Sequence, residues 1–254
     1  MALGDSLKKS GLEWVNGETA KNGLQREIGV SREGQSMLEL FGHPFSSYTW
    51  KVLISLYEND TPFNFRIVDE DHQDNKALLD AYSPMGKFPL LVDGDIALFE
   101  SSIIIEYLQR RRPGPVPMLP DGDAEMLAVR MMDRFFDNYV MGNTQHVVDD
   151  ALRPSEQRCS AVVEAAKAKL RQAYIWLNRR LGEEGWACGD RFTLADCAAA
   201  PALFYADWVE EIDPALTRLR HYRRRLLTRP SIARCVHNAR PYRQFFPLGA
   251  SDRD

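Results

Sequence analysis

The chain has 254 residues, a net charge of −4 at pH 7, 44% hydrophobic residues and 27% charged ones. That length holds one large or two modest domains, and the composition is that of a globular protein. The charge is too slight to suggest nucleic acid or an acidic membrane as partner, and no apolar run approaches the ~20 residues of a membrane span.

The N-terminus lacks the apolar core of a signal peptide. The four cysteines, Cys159, Cys188, Cys197 and Cys235, form no C-x-x-C pair. Both features predict reduced thiols in a cytoplasmic protein and argue against a disulfide scaffold or a zinc ribbon. No metal is expected.

Residues 1–36 are polar and scattered with Gly4, Gly11, Gly17, Gly23, Gly29 and Gly34. They predict a poorly ordered extension, and the regular pattern begins near Met37. Leu38-Glu39-Leu40-Phe41 reads as a strand closed by Gly42-His43-Pro44. A helix runs from there to Asn59, with Val52, Leu53, Leu56 and Tyr57 at helical spacing. Phe63, Phe65, Ile67 and Val68 make a second strand. A polar stretch, 69–76, leads into a short helix over 77–82.

The segment 83–108 organises what precedes it. Pro84 and Gly86 set a loop, and Pro89 opens a short strand, Leu90 to Val92. Asp93-Gly94 is a hairpin signal before a strand from Ile96 to Leu98. Glu100-Ser101-Ser102 begins a helix that closes on Arg110-Arg111-Arg112, cations suited to a helix C-terminus. The order β-α-β-α-β-β-α describes a small α/β domain over 37–112. A right-handed crossover places its first two strands side by side in parallel, and the hairpin supplies an antiparallel edge. Pro113-Gly114-Pro115-Val116-Pro117 is the clearest linker, placed at 113–120. Over 121–254 the pattern is helical throughout, with helices near 124–150, 155–181, 194–212, 214–227 and 231–239. Thr193 with Asp196 makes a capping box, which favours a structural role for Asp196.

Several residues admit chemistry. Glu100 and Ser101 are either a plain helix start or a reader of a free amino-acid end. In the second case the carboxylate rests on Ser101 and the helix N–H groups, and the ammonium pairs with Glu100. Phe88-Pro89 is either an edge proline or a cis bond that turns the Phe88 backbone outward toward an extended peptide. Ser46 and Ser47 sit at another helix start, as caps or as hydroxyl donors to a thiolate, whose pKa a helix N-terminus lowers. No Asp/His pair stands at triad-like spacing, and His43 reads as structural. Lys76 and Lys87 are cations that could meet a second carboxylate. The run Arg218, Arg220, Arg223, Arg224, Arg225 interleaves with leucines and reads as a solvated helix face. Trp176, Trp186 and Trp208 read as core.

Taken together, Ser83-Pro84-x-Gly86-Lys87-Phe88-Pro89 followed by Glu100-Ser101-x-Ile103-x-x-Tyr107-Leu108 resembles the glutathione-binding signature of the cytosolic glutathione transferase family. Phe192-Thr193-Leu194-Ala195-Asp196 is similar to that family's C-terminal folding motif. The resemblance covers Leu38 to about Phe246. It implies an α+β/α fold, with a thioredoxin-like βαβαββα domain followed by an all-helical one, and a homodimer. It implies that Phe88 pairs with the glutathione cysteine ahead of a cis Pro89, and that Glu100 and Ser101 hold the γ-glutamyl end. Gly42-His43-Pro44-Phe45-Ser46 resembles the serine-type classes, phi, theta and zeta, where the residue matching Ser46 assists the thiolate. Tyr48 replaces the zeta-class cysteine. The basic pair of phi enzymes matches Asp74 and Asn75, which leaves Lys76 to meet the glycine carboxylate.

The expected activity is therefore thiolate attack by glutathione, the co-substrate, on a small hydrophobic electrophile. Phe45, Tyr48, Tyr139 and Phe136 are the expected pocket residues. Glutathione-dependent isomerisation, dehalogenation or ether cleavage on the same scaffold, or a non-catalytic interaction module, are the alternatives.

Overall fold

The computed structural model describes residues 37–83 and 85–253. The expected extension over 1–36, and Pro84, lie outside the described residues.

The first strand, β1 (Leu38–Gly42), is buried along its whole length. It is followed by α1 (Ser47–Glu58), β2 (Phe63–Ile67), α2 (Gln73–Tyr82), β3 (Leu90–Asp93), β4 (Ile96–Phe99) and α3 (Ser101–Arg111). The sheet order is β2-β1-β3-β4. β1 and β2 run parallel from the pair Leu38–Phe63 to the pair Gly42–Ile67, joined by the α1 crossover. β3 lies antiparallel to both β1 and β4. The hairpin turns one residue later than the sequence predicts. Asp93 pairs with Ile96, so the loop is Gly94-Asp95. Gly94 has φ +60, a left-handed conformation glycine adopts without a Cβ clash.

The α2 helix begins at Gln73, four residues before its expected start. Only Leu79 of this helix is buried, so its polar residues face solvent and give no apolar period to read. Asn75 anchors the first turn by donating to the Ile67 carbonyl at 2.8 Å.

The proline-rich segment between α3 and the next helix is irregular but fastened. Asn59 accepts from the Val116 N–H at 2.9 Å and donates to its carbonyl at 3.1 Å. Gln109 does the same for Leu119, at 2.7 and 3.0 Å. A Cβ on Gly114 would collide with the Asn59 side chain, which explains a glycine there.

The helical part holds α4 (Asp123–Phe135), α5 (Gly142–Leu152), α6 (Ser160–Arg180), α7 (Leu194–Val209), α8 (Thr217–Thr228) and α9 (Pro230–Ala239). A π turn, Phe136–Met141, joins α4 to α5 into one run where a single helix is expected. The helix expected from 155 starts at Ser160, after a separate short turn at Ser155–Gln157. Every residue of α7 is buried. Its capping box is present, and Asp196 also accepts from the Ala187 N–H at 2.9 Å and the Tyr222 hydroxyl at 2.6 Å.

α7 packs on α1, with the Trp50 and Phe204 ring centroids 5.0 Å apart. One apolar cluster therefore runs from Leu38 in the sheet through Trp50 and Phe204 to Leu226. The arginines of α8 are not simply solvated as expected. Arg225 donates to the Glu183 carbonyl at 2.8 Å and also to that of Gly185, and Arg223 donates to Leu203 at 3.3 Å. Trp176 is 38% exposed rather than core, stacked on Phe135 at 4.3 Å.

Candidate active site

The loop from β1 into α1 carries the first group of site residues. A Cβ on Gly42, the last residue of β1, would lie 2.6 Å from the Thr49 side chain, so a larger residue here would have to displace Thr49. Ser46 is the N-cap of α1, and its Oγ accepts the Thr49 N–H at 3.2 Å. Its own N–H donates to the His43 carbonyl at 3.0 Å. Cap and thiolate donor are compatible roles: the cap uses a lone pair on Oγ, and the hydroxyl hydrogen remains to be given. Ser46 and Ser47 both line a cavity of about 800 Å³ between the sheet domain and the helices.

The aromatic residues beside Ser46 are fixed from the helical side. Phe45 accepts from the Tyr205 hydroxyl at 2.8 Å through its carbonyl, and its ring lies edge-on to Tyr205. His43 accepts the Phe45 N–H on Nδ1 at 3.1 Å, and burial holds its pKa below the usual value despite the opposing field of Asp69.

The second group stands on the β3–β4–α3 unit. The Phe88-Pro89 bond is cis. Ser83 holds the preceding loop, donating to the Lys87 carbonyl at 2.9 Å and accepting its N–H at 3.3 Å. Phe88 lies just before β3 and enters no backbone hydrogen bond among the described residues. Its N–H and C=O are therefore available to an extended peptide. Glu100, rather than Ser101, occupies the N-cap of α3, with φ +74. A non-glycine residue in that region is strained, and such strain gathers at functional sites. Its exposed carboxylate has no ion-pair or hydrogen-bond partner among the described residues, and neither side chain caps the helix. The first N–H groups of α3 thus stay open to an anion.

Glu100 and Ser101 line a recess of about 400 Å³ with Phe88, Pro89, Arg134 and Asp137. Tyr48, Lys87 and Phe88 line both this recess and the larger cavity, which makes one continuous trough. Burial, with Asp137 nearby, pushes the Tyr48 hydroxyl up to about 12.

Behind the recess lies a charge cluster that the sequence reading did not single out. The Lys51 ammonium, 1% exposed, is 2.5 Å from Asp133 and 2.7 Å from Asp137. It also donates to Ser102 at 2.8 Å. Arg134 pairs with both carboxylates at 2.7 Å. Burial holds the Asp137 carboxyl above its usual range, with Lys51 opposing. The signal for this cluster is a lysine set between Trp50 and the run Val52, Leu53 and Ile54, matched by two aspartates spaced i, i+4.

Three expected site residues stand elsewhere. Phe136 is fully buried and reaches neither space. Tyr139 is 59% exposed and leans on Phe135 at 5.3 Å. The helical phase is the reason: Met141, Thr144, Gln145, Val148 and Leu152 turn toward the cavity instead, at i+3 and i+4 intervals. Lys76 pairs with Asp80 at 2.6 Å on the exposed side of α2 and lines neither space. The sequence reading also missed Tyr205, Phe245 and Phe246, which close the cavity from the far end of the chain. No group of three or more His, Cys, Asp or Glu among the described residues could hold a metal ion.

Comparison with known proteins shows the family and the fold. Residues 40–116 match the family model described as glutathione S-transferase, N-terminal domain, and residues 160–225 match that for the C-terminal domain. The chain is 30% identical over 174 residues to glutathione S-transferase F6 of Arabidopsis thaliana, covering 66% of this chain and 83% of the relative. It is also 30% identical over 170 residues to a stringent starvation protein A homolog of Coxiella burnetii, covering 67% and 76%. Among solved structures, a glutathione S-transferase of Methylobacterium radiotolerans in complex with glutathione sulfonate aligns with a TM-score of 0.68 at 26% identity, over 79% of this chain and 95% of that one. The chain belongs to the glutathione S-transferase family.

Proposed function

We propose that Ser46 steadies the thiolate of bound glutathione, which then attacks a small hydrophobic electrophile held in the large cavity. One observation carries this reading. Ser46 caps α1 through a lone pair, keeps its hydroxyl hydrogen, and lines a trough that ends at the unpaired Glu100 carboxylate. Phe88 pairs its backbone with the cysteine of glutathione. Glu100 takes the γ-glutamyl ammonium, and Ser101 with the α3 N-terminus takes the adjacent carboxylate. Lys87, which lines both halves of the trough, is better placed than Lys76 for the glycine carboxylate. Proximity and the positive end of α1 supply the rate.

The protein acts in the cytoplasm as a detoxifying homodimer, with the domain division at 113–120. Exposed Ile103, Leu127 and Met131 support the dimer, because they lie on α3 and α4, which the Glu106–Arg130 pair brings together, and Ile96 and Phe99 are exposed on β4. Among the described residues, no helix is long and apolar enough to cross a membrane.

The test is conjugation of glutathione to chlorodinitrobenzene by the purified chain, with Glu100→Gln beside it. The reading predicts turnover, and a glutathione KM raised about tenfold in the variant. Retention on immobilised glutathione without any conjugation would favour a non-catalytic module instead.

A further inference from the structure

The peptide unit that joins Phe45 to Ser46 is held at both of its polar ends. Its oxygen, the Phe45 carbonyl, accepts from the Tyr205 hydroxyl at 2.8 Å. Its N–H, that of Ser46, donates to the His43 carbonyl at 3.0 Å. The unit is planar, so the two restraints fix its tilt. With the tilt they fix the φ of −89 at Ser46, from which its side chain leaves the loop. The preceding unit is held in the same way. Trp50 Nε1 donates to the Pro44 carbonyl at 2.5 Å, and the Phe45 N–H donates to His43 Nδ1 at 3.1 Å. Three of the four bonds stay within residues 43–50. The fourth comes from Tyr205 on α7, 160 positions along the chain.

The Tyr205 ring is itself fixed. It is 4% exposed, edge-on to Phe45 at 5.3 Å, tilted against Trp50 at 5.5 Å and stacked on Phe246 at 6.3 Å. Burial pushes its phenol well above the usual value, so the hydroxyl keeps its proton and acts as a donor. A phenylalanine would keep every one of these ring contacts and lose only the bond to the Phe45 carbonyl.

We propose that Tyr205 is a positioning residue for Ser46, clamping the peptide unit between Phe45 and Ser46 so that the serine hydroxyl meets the glutathione sulfur. The inference rests on the assignment of Ser46 to the thiolate and deepens it. Tyr205 acts through the peptide and not on the sulfur, and no bond forms or breaks in this role. Without its hydroxyl the unit is held at the N–H end alone, and its oxygen turns toward whatever donor it finds. The Ser46 Cα–Cβ bond turns with it. A displacement of about 1 Å at a reacting centre costs up to about 100-fold in rate.

The experiment titrates the thiolate absorbance of glutathione bound to the full chain and measures conjugation to chlorodinitrobenzene. The variants are Tyr205→Phe, Ser46→Ala and the two combined. In Tyr205→Phe the bound thiol should titrate closer to free glutathione, with kcat down about fivefold and the glutathione KM little changed. In the Ser46→Ala background, adding Tyr205→Phe should change neither quantity, because the residue that Tyr205 positions is gone. Tyr174→Phe is the control for losing a buried hydroxyl, since Tyr174 donates to the Glu210 carbonyl at 3.1 Å at the other end of α7. It should leave the titration at the native value. A native titration and native turnover in Tyr205→Phe overturn the proposal. So does an equal effect of Tyr205→Phe with and without Ser46, or an equal shift in Tyr174→Phe. Ser46→Ala separates the two claims. If it titrates as the native protein does, the assignment of Ser46 fails and this proposal with it. If it is shifted while Tyr205→Phe is native, only this proposal fails.

Discussion

Lys51 Nζ and Asp137 Oδ2 lie 2.7 Å apart, on helices from opposite sides of the proline-rich segment, and both are almost fully buried. Through this pair the helix that presents Ser46 is fastened to the π turn beside the recess. Ser102 joins the same cluster, donating to Asp133 at 2.9 Å, and thereby fixes the first turn of α3 next to Ser101. The two helix starts of the site share one buried anchor.

Replacing Lys51 by Met leaves Asp133 and Asp137 buried with only Arg134 to answer them. Removing one partner of a buried ion pair costs about 3–5 kcal/mol, because the other charge stays desolvated. Urea unfolding of Lys51→Met should show a loss of that size, accompanied by weaker glutathione binding.

The same cluster makes stability depend on pH. Burial raises the Asp137 carboxyl in the folded protein above its unfolded value, so the folded state binds that proton more readily. Its contribution is fully present below the unfolded pKa and is lost as pH rises through the folded one. Lys51 opposes the shift, so Lys51→Met should move the folded value further up. The destabilisation caused by Lys51→Met should therefore be smaller in acid than at neutral pH, as urea midpoints across a pH series will show.

Asp196 accepts four hydrogen bonds while fully buried: from the Thr193 N–H at 2.9 Å and hydroxyl at 3.1 Å, the Ala187 N–H and the Tyr222 hydroxyl. Asp196→Ala orphans all four donors and should cost roughly 3–5 kcal/mol in denaturant unfolding. Tyr222→Phe removes one donor and should cost about 1 kcal/mol.

Much of this arrangement was legible in the residues. The β1–α1–β2 crossover followed from an apolar strand, a helix with i, i+3, i+4 spacing ending at Asn59, and a second apolar strand from Phe63. The Phe88-Pro89 loop, the Glu100-Ser101 helix start and the Thr193–Asp196 cap followed from local punctuation. What escaped depends on the third dimension. The start of α2 was hidden because the helix buries only Leu79. Phe136 and Tyr139 were misplaced because the phase of a helix crossing a π turn decides which side chains meet the cavity. The Lys51 cluster joins residues 86 positions apart, and no single segment reveals such a pairing.

Thiolate formation on glutathione bound to Ser46→Ala tests the central claim most directly. Titrating the thiolate absorbance of the bound tripeptide should give a pKa below that of free glutathione in the native protein. In Ser46→Ala it should return toward the free value, with turnover falling roughly 10²-fold and glutathione affinity little changed. An unchanged titration and unchanged turnover in Ser46→Ala, or the same losses appearing in Ser47→Ala instead, would contradict it.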